Sequence, residues 1–381
     1  MKRPVITVYF GPLHWFDEET SHLAATQLAE HITAIDVDRR TFRVRGEAQE
    51  DERERPGHVV ATSSDYMTLS EAWLNNFAGL VLEIDPKHLH LQNPPVHVQD
   101  QLQRIFEVEV KNYIYPRLDL AALARVRRSF AERVIGQEQV RERLLPALYQ
   151  LTAPAAGKPV VLMLYGPSGV GKTETGRLVN DFLGGKLLRI QFSMYHSEKF
   201  ASYIFGGSHS ERSLAHDLLD RESGVILIDE FDKAHPTFHS AFYEMFDEGV
   251  FVDKNYRVDL GPALIICTSN YSSEREVHNE LGDALASRFT AMIQYQALSE
   301  EAVAKIADQL IDSKYADLSD AEREHVDLDL VRAAIHSHHG FSNVRTIGKT
   351  VDEIISHLLV HAALDAQEHD EAEVEKRGPA R

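Results

Sequence analysis

Gly166-Pro167-Ser168-Gly169-Val170-Gly171-Lys172-Thr173 (GPSGVGKT) decides the fold. The octet fits the spacing G-x-x-x-x-G-K-[ST]. It follows the apolar run Val160 to Tyr165 (VVLMLY) and opens a segment, Thr173 to Leu183, with helical apolar spacing. A strand, a glycine-rich turn and a helix in that order make a cradle for phosphate. The glycines let the backbone curl so that successive N–H groups face phosphate oxygens, and the new helix adds the positive end of its dipole. Gly166, Pro167, Ser168, Gly169, Val170 and Gly171 are therefore expected to wrap the phosphates of ATP. Lys172 is expected to reach the β- and γ-phosphates, and Thr173 to present its hydroxyl to Mg²⁺.

Working outward, Val225 to Asp229 (VILID) is a hydrophobic strand ending in two carboxylates, Asp229 and Glu230. Adjacent residues at a strand end face different directions, so the two acids can do different jobs. Asp229 is placed to hold the metal through its water shell, and Glu230 to polarise an attacking water. Paired with the phosphate turn upstream, these acids point to hydrolysis of a nucleoside triphosphate. Leu187 to Phe192 (LLRIQF) and Ala263 to Thr268 (ALIICT) are two more short apolar runs, and such runs suit strands buried on both faces of a parallel sheet. Helical spacing over Thr173 to Leu183, Arg212 to Asp220 and Thr237 to Asp247 separates them, which predicts a three-layer α/β domain. Beyond Ser299 the pattern is helical: Glu300 to Ser313, Asp327 to His336 and Val344 to Leu364.

The quoted residues resemble the AAA+ ATPases. Val134-Ile135-Gly136-Gln137, GPSGVGKTE, VILIDEFDKAH (Val225 to His235) and ICTSN (Ile266 to Asn270) carry the likeness. It runs from Val134 to the mid-350s. The turn Phe246-Asp247-Glu248-Gly249 and the hairpin-like Val250 to Leu260 narrow it to the C-terminal ATPase module of Clp-type unfoldases and disaggregases. The resemblance implies a P-loop domain with a helical lid. Val134 and Ile135 lie where the family packs against adenine, and Asn270 matches the polar residue that orients the attacking water. Arg288, in Ala286-Ser287-Arg288-Phe289, matches the arginine finger that enters a neighbouring subunit's site. Arg345 matches the lid arginine that contacts the γ-phosphate, although Asn343 stands where the family usually has glycine. The resemblance further implies a homo-oligomer, a hexameric ring or spiral.

The expected division is a mixed α/β partner-binding block over 1–125, the large ATPase subdomain over 126–298, the lid over 299–366 and a charged, frayed tail over 367–381. In the first block Val5 to Phe10 and Gly79 to Asp85 (GLVLEID) read as strands. Glu19 to Ile32 and Leu69 to Phe77 read as helices, Val98 to about Arg128 as mainly helical, and Glu47 to Arg55 as a solvated charged loop.

The sequence departs from the family in one telling place. Clp-type unfoldases grip substrate with a glycine-and-aromatic pore loop, but Gly206 to Asp220 contains no aromatic residue. Tyr203 and Phe205 flank that span, where their spacing with Ile204 predicts core packing. Threading of polypeptide is therefore not expected. Forty basic against 59 acidic side chains, a net charge of −19, disfavour coating of nucleic acid. Lys186, Arg189, Lys199 and Arg212 leave a local basic cluster that could face a pore. A single cysteine, Cys267, excludes an intramolecular disulfide and reads as an inert core thiol. No run reaches the length of a membrane span, so a cytoplasmic protein is expected. The histidine-dense spots, His88-Leu89-His90 and His336 to His339, lack the spacing of a zinc site. Three outputs compete: ATP-driven remodelling of a protein partner through the N-terminal block, a nucleotide-gated switch or scaffold that assembles with an effector, and a nucleic-acid-associated ATPase.

Overall fold

Two five-stranded sheets organise the chain in the computed structural model, which describes residues 3–45, 55–153, 157–194, 197–337 and 343–377. The first comprises β1 (Val5–Phe10), β2 (Ala25–Gln27), β3 (His58–Ala61), β4 (His88–Gln92) and β5 (Val108–Asn112), in the order β2-β3-β4-β1-β5. Every pairing in it is parallel. Several expectations for this block need correction. GLVLEID is not a strand but most of the helix Phe77–Ile84: Phe77, Ala78, Leu80 and Val81 are buried, while Leu82 and Glu83 face out, which is a helical period. The helix expected over 19–32 is broken into the helix Leu13–Thr20, β2 and the helix Leu28–Arg45. The stretch 98–128 holds β5 between the helices Val96–Ile105 and Leu120–Arg133. Of the charged run 47–55 only Arg55 lies among the described residues.

The second sheet contains β6 (Val160–Tyr165), β7 (Leu188–Gln191) and β8 (Val225–Asp229). After a short antiparallel hairpin, β9 (Val250–Val252) with β10 (Arg257–Asp259), it is completed by β11 (Leu264–Ser269) and β12 (Ala291–Gln294). The order is β12-β6-β11-β8-β7, all parallel. Strand β12 is an addition to the expected four. Alternate residues of β6 enter two separate cores: Val161 and Met163 pack with Ile226, Phe231 and Phe246, while Leu162 and Leu164 pack with Leu178, Val179 and Ile266. The period of two with both faces covered is the three-layer arrangement.

The helices Glu300–Ala316, Asp320–Arg323, Leu328–His336 and Val344–Arg377 close around a core of Ile311, Val331, Ile347 and Val351. The tail expected to fray is helical as far as Arg377, and His338 and His339 lie outside the described residues. Among the described residues no helix is long and apolar enough to cross a membrane.

The N-terminal sheet docks on the second through specific polar contacts. Leu13 N–H and Gln92 Nε2 both donate to Asp220 Oδ1, at 3.0 and 3.3 Å. Val96 N–H donates to the Asn255 carbonyl at 2.9 Å, and His209 Nε2 to the Leu69 carbonyl at 2.8 Å.

Candidate nucleotide site

The carboxyl ends of β6, β8 and β11 converge, so the phosphate turn, the two acids and Asn270 meet at one edge of the sheet. The turn needs its glycines: Gly166, Gly169 and Gly171 have φ of +135°, +73° and +103°. A Cβ on Gly166 would stand 2.3 Å from the Tyr295 carbonyl oxygen, and one on Gly169 2.7 Å from the Asn343 Cβ. Only bare backbone fits, which leaves a concave loop of amides of the kind that phosphate occupies.

Lys172 begins the helix Lys172–Leu183 and is buried. Its Nζ donates to the Gly166 and Pro167 carbonyls, each at 2.6 Å, and to Asn270 Oδ1 at 3.3 Å. Burial pushes its ammonium down to about 8; Asp232 and Asp229 oppose this and Arg345 adds to it. The lysine is thus short of negative charge, a deficit that phosphate oxygens relieve.

Asp229, almost wholly buried, collects donors. Thr173 Oγ1 donates at 3.1 and 3.2 Å to its two oxygens, Thr268 Oγ1 at 2.5 Å, and Arg189 through Nε at 2.9 Å and Nη2 at 2.6 Å. A threonine hydroxyl beside a carboxylate is a hard-oxygen pair suited to Mg²⁺ held mainly by phosphate and water.

Glu230 adopts φ 58° and ψ 46°, a left-handed conformation that costs a non-glycine residue of order 1 kcal/mol. Thr268 holds it there: its hydroxyl accepts the Glu230 N–H at 3.0 Å while donating to Asp229. Gln191 Nε2 donates to Glu230 Oε2 at 3.4 Å. One threonine therefore fixes both acids in different orientations. Sequence reading missed Thr268, although its place in ICTSN beside Asn270 was the available signal.

These groups line a cavity of about 560 Å³ together with Val134, Ile135, Ser168, Gly169, Val170, Gly171 and, from the lid, Val344 and Arg345. Val344 N–H donates to the Gly169 carbonyl at 3.3 Å, which ties lid to turn. Gly166 and Pro167 contribute instead by holding Lys172. Ile306 and Leu310 of the lid, and Arg133, Arg177 and Arg189, also line it and were not foreseen there. Arg288 is not brought to the cavity. Its Nε donates to Asp247 Oδ2 at 2.8 Å and its guanidinium lies 4.4 Å from the Tyr243 ring centre.

Other expectations resolve differently. Tyr203 and Ile204 are buried, but Phe205 is 43% exposed rather than in the core. The basic cluster divides, since Arg189 pairs with Asp229 and Arg212 with Asp217. His58, His88 and His90 stack with rings within 18° of parallel, and His58 Nδ1 and His90 Nε2 share a hydrogen bond at 3.1 Å. Cys267 is fully buried and burial raises its thiol pKa, as suits an inert core residue.

Residues 158–314 match the family model of the AAA domain (Cdc48 subfamily). The chain is 33% identical over 171 residues to chaperone protein ClpB of Yersinia enterocolitica, covering 41% of this chain and 19% of that one. It is 26% identical over 278 residues to a ClpA homolog protein of Fuscovulum blasticum (65% and 35%). It is 30% identical over 214 residues to the ATP-dependent Clp protease ATP-binding subunit ClpE of Bacillus subtilis (47% and 31%). The chain thus spans 19 to 35% of the length of these curated relatives. A solved closed-state structure of Hsp104 with ATPγS and FITC casein shares the fold, with a TM-score of 0.55 and 15% identity over 96% of this chain and 89% of that one. Residues 158–314 are thus similar to the AAA domain family, and the nucleotide site they build resembles the ATP-binding modules of Clp-type relatives.

Proposed function

We propose that this chain hydrolyses ATP with Mg²⁺ as a homo-oligomeric ring or spiral and uses the resulting movement to remodel a protein partner. The observation that carries the reading is the convergence of Lys172, Thr173, Asp229, Glu230, Asn270 and Arg345 on one cavity. In this reading Val134 and Ile135 receive the adenine, the turn 166–171 the phosphates, and Lys172 and Arg345 the β- and γ-phosphate charge. Thr173 and Asp229 would hold Mg²⁺, which supplies neutralisation of charge on the phosphates. Glu230 takes a proton from the attacking water while Asn270 orients it. Arg288 faces away from its own cavity and is assigned to a neighbour's. The proposed division is a partner-binding block at 1–125, a large subdomain at 126–298 and a lid from 299, whose last helix, Val344–Arg377, continues through the span expected as a tail from 367.

A second reading has its own support. The counterpart of the pore loop offers no aromatic grip and is pinned: His209 donates to Leu69 O, and Asn255 Nδ2 to Gly207 O at 3.4 Å. That favours lid movement without threading, as in a nucleotide-gated switch or scaffold with an effector. The nucleic-acid reading is the weakest, because Arg189 and Arg212 are already paired in a chain of net charge −19. Capture with Glu230→Gln in Mg·ATP is the test, with turnover and unfolding of a tagged substrate measured for the unmodified chain. ATP turnover with a stably retained protein supports remodelling, and retention without substrate unfolding supports the switch. Undiminished turnover in both Glu230→Gln and Lys172→Ala would refute the assignment.

A further inference from the structure

A second cavity, of about 640 Å³, opens where the N-terminal sheet meets the domain that holds the nucleotide site. Its walls are the carboxyl ends of β1 and β5, the segment 113–117, the turn before β8, and β10 with the residues after it. Ligands of parallel α/β sheets bind outside the carboxyl ends of strands, and the volume falls in the ordinary range for small-molecule sites.

Three arginines line it: Arg117, Arg221 and Arg257. Among the described residues none of the three makes an ion pair within 4.0 Å, although the chain carries 59 acids. Arg221 is only 3% exposed. Its Nη1 donates to Leu218 O at 2.6 Å and its Nη2 to Leu260 O at 3.1 Å, and the Tyr115 ring covers its face at 3.9 Å. Its Nε is buried with no hydrogen-bond partner. Two carbonyls and a ring suit a purely structural staple, yet they leave a buried charge without a counter-charge in contact, and they do not account for Arg117 and Arg257 beside it. Two acids share the wall. Asp259 Oδ1 accepts the Gly261 N–H at 2.9 Å and its charge, after Tyr115, favours the Arg221 guanidinium without touching it; Asp100 is the other.

We propose that this cavity is a binding site for a phosphate-bearing small molecule of nucleotide size. The guanidinium forks of Arg117 and Arg257 grip the phosphate near the buried charge of Arg221. Tyr113, Ile114 and the apolar wall of Leu219, Val258 and Leu260 carry the body of the ligand. Both the N-terminal block and the domain that holds the nucleotide site contribute walls, so the occupant joins them.

The test is calorimetric titration of AMP into the full chain carrying Lys172→Ala, which disables the phosphate turn and so keeps this site separate from the proposed ATPase. One-to-one binding with a submillimolar Kd is expected. Adding Arg117→Gln and Arg257→Gln should weaken it by about tenfold or more. Both residues are exposed, so an unchanged melting temperature verifies the fold. Absence of binding up to millimolar AMP, or equal affinity in the triple variant, would overturn the proposal.

Discussion

Raising the pH should weaken ATP binding through one side chain. Lys172 sits at about 8 instead of 10.5, chiefly because burial penalises its charge. A shift of that size corresponds to about 3 kcal/mol between the charged and neutral forms in the empty site. The folded-state pKa lies below the unfolded one, so the neutral amine is favoured by folding. The lysine's contribution to stability therefore improves as pH rises from about 8 to 10.5. Ligand binding runs the other way. A triphosphate favours the ammonium, so above pH 8 the empty site must take up a proton to bind. Apparent affinity should then fall by up to about tenfold per pH unit. Fluorescence anisotropy with a labelled ATP analogue between pH 7 and 9.5 reads this directly. Lys172→Arg, charged throughout that range, should flatten the slope whatever its absolute affinity. A flat profile in the unmodified chain, or the same slope in Lys172→Arg, would refute the argument.

Burial, with His58 and His88 adding to it, lowers His90 to about 4 from the usual 6.5. Folding favours its neutral form, so this contribution is complete above pH 6.5 and declines by about 3 kcal/mol as pH falls to 4. Thermal melts of His90→Leu should show a shallower acid limb than the unmodified chain. Gly166→Ala forces a Cβ to 2.3 Å from the Tyr295 carbonyl at a φ of +135°. It should lose nucleotide binding and at least about 2 kcal/mol of stability, read by anisotropy and melting. Asp220→Ala removes the acceptor shared by Leu13 N–H and Gln92, worth about 2 kcal/mol at the junction. Hydrogen exchange should quicken around residues 11–20 while the phosphate turn stays protected.

The domain that holds the nucleotide site was legible because its physics is concentrated. Strands β6, β8 and β11 are buried on both faces and so read as continuous apolar runs, and the cradle requires glycine at fixed offsets. The N-terminal sheet hid its strands. β4 is His-Leu-His-Leu-Gln, whose stacked histidines stand where apolar residues would have signalled a strand, and β5 is a short edge strand, Val-Glu-Val-Lys-Asn. The most apolar run there, GLVLEID, is a helix, since a short apolar run does not separate a buried helix from a buried strand. In the candidate site, Thr268 and Arg189 act through contacts between β11, β8 and β7 that only the strand order brings together. Ile306 and Leu310 reach the cavity through the packing of the helix Glu300–Ala316 against it, a tertiary contact that no spacing in the sequence encodes.

The central claim is that one protomer holds the triphosphate and the next supplies Arg288. Mixing Glu230→Gln with Arg288→Ala, each inactive alone, tests it in a single turnover assay. Random mixing in a head-to-tail ring pairs an intact Glu230 with an intact Arg288 at about one interface in four, so ATP hydrolysis should reappear at about that fraction of the unmodified rate. No recovery from two folded, nucleotide-binding variants, or full activity in Arg288→Ala by itself, would contradict the account.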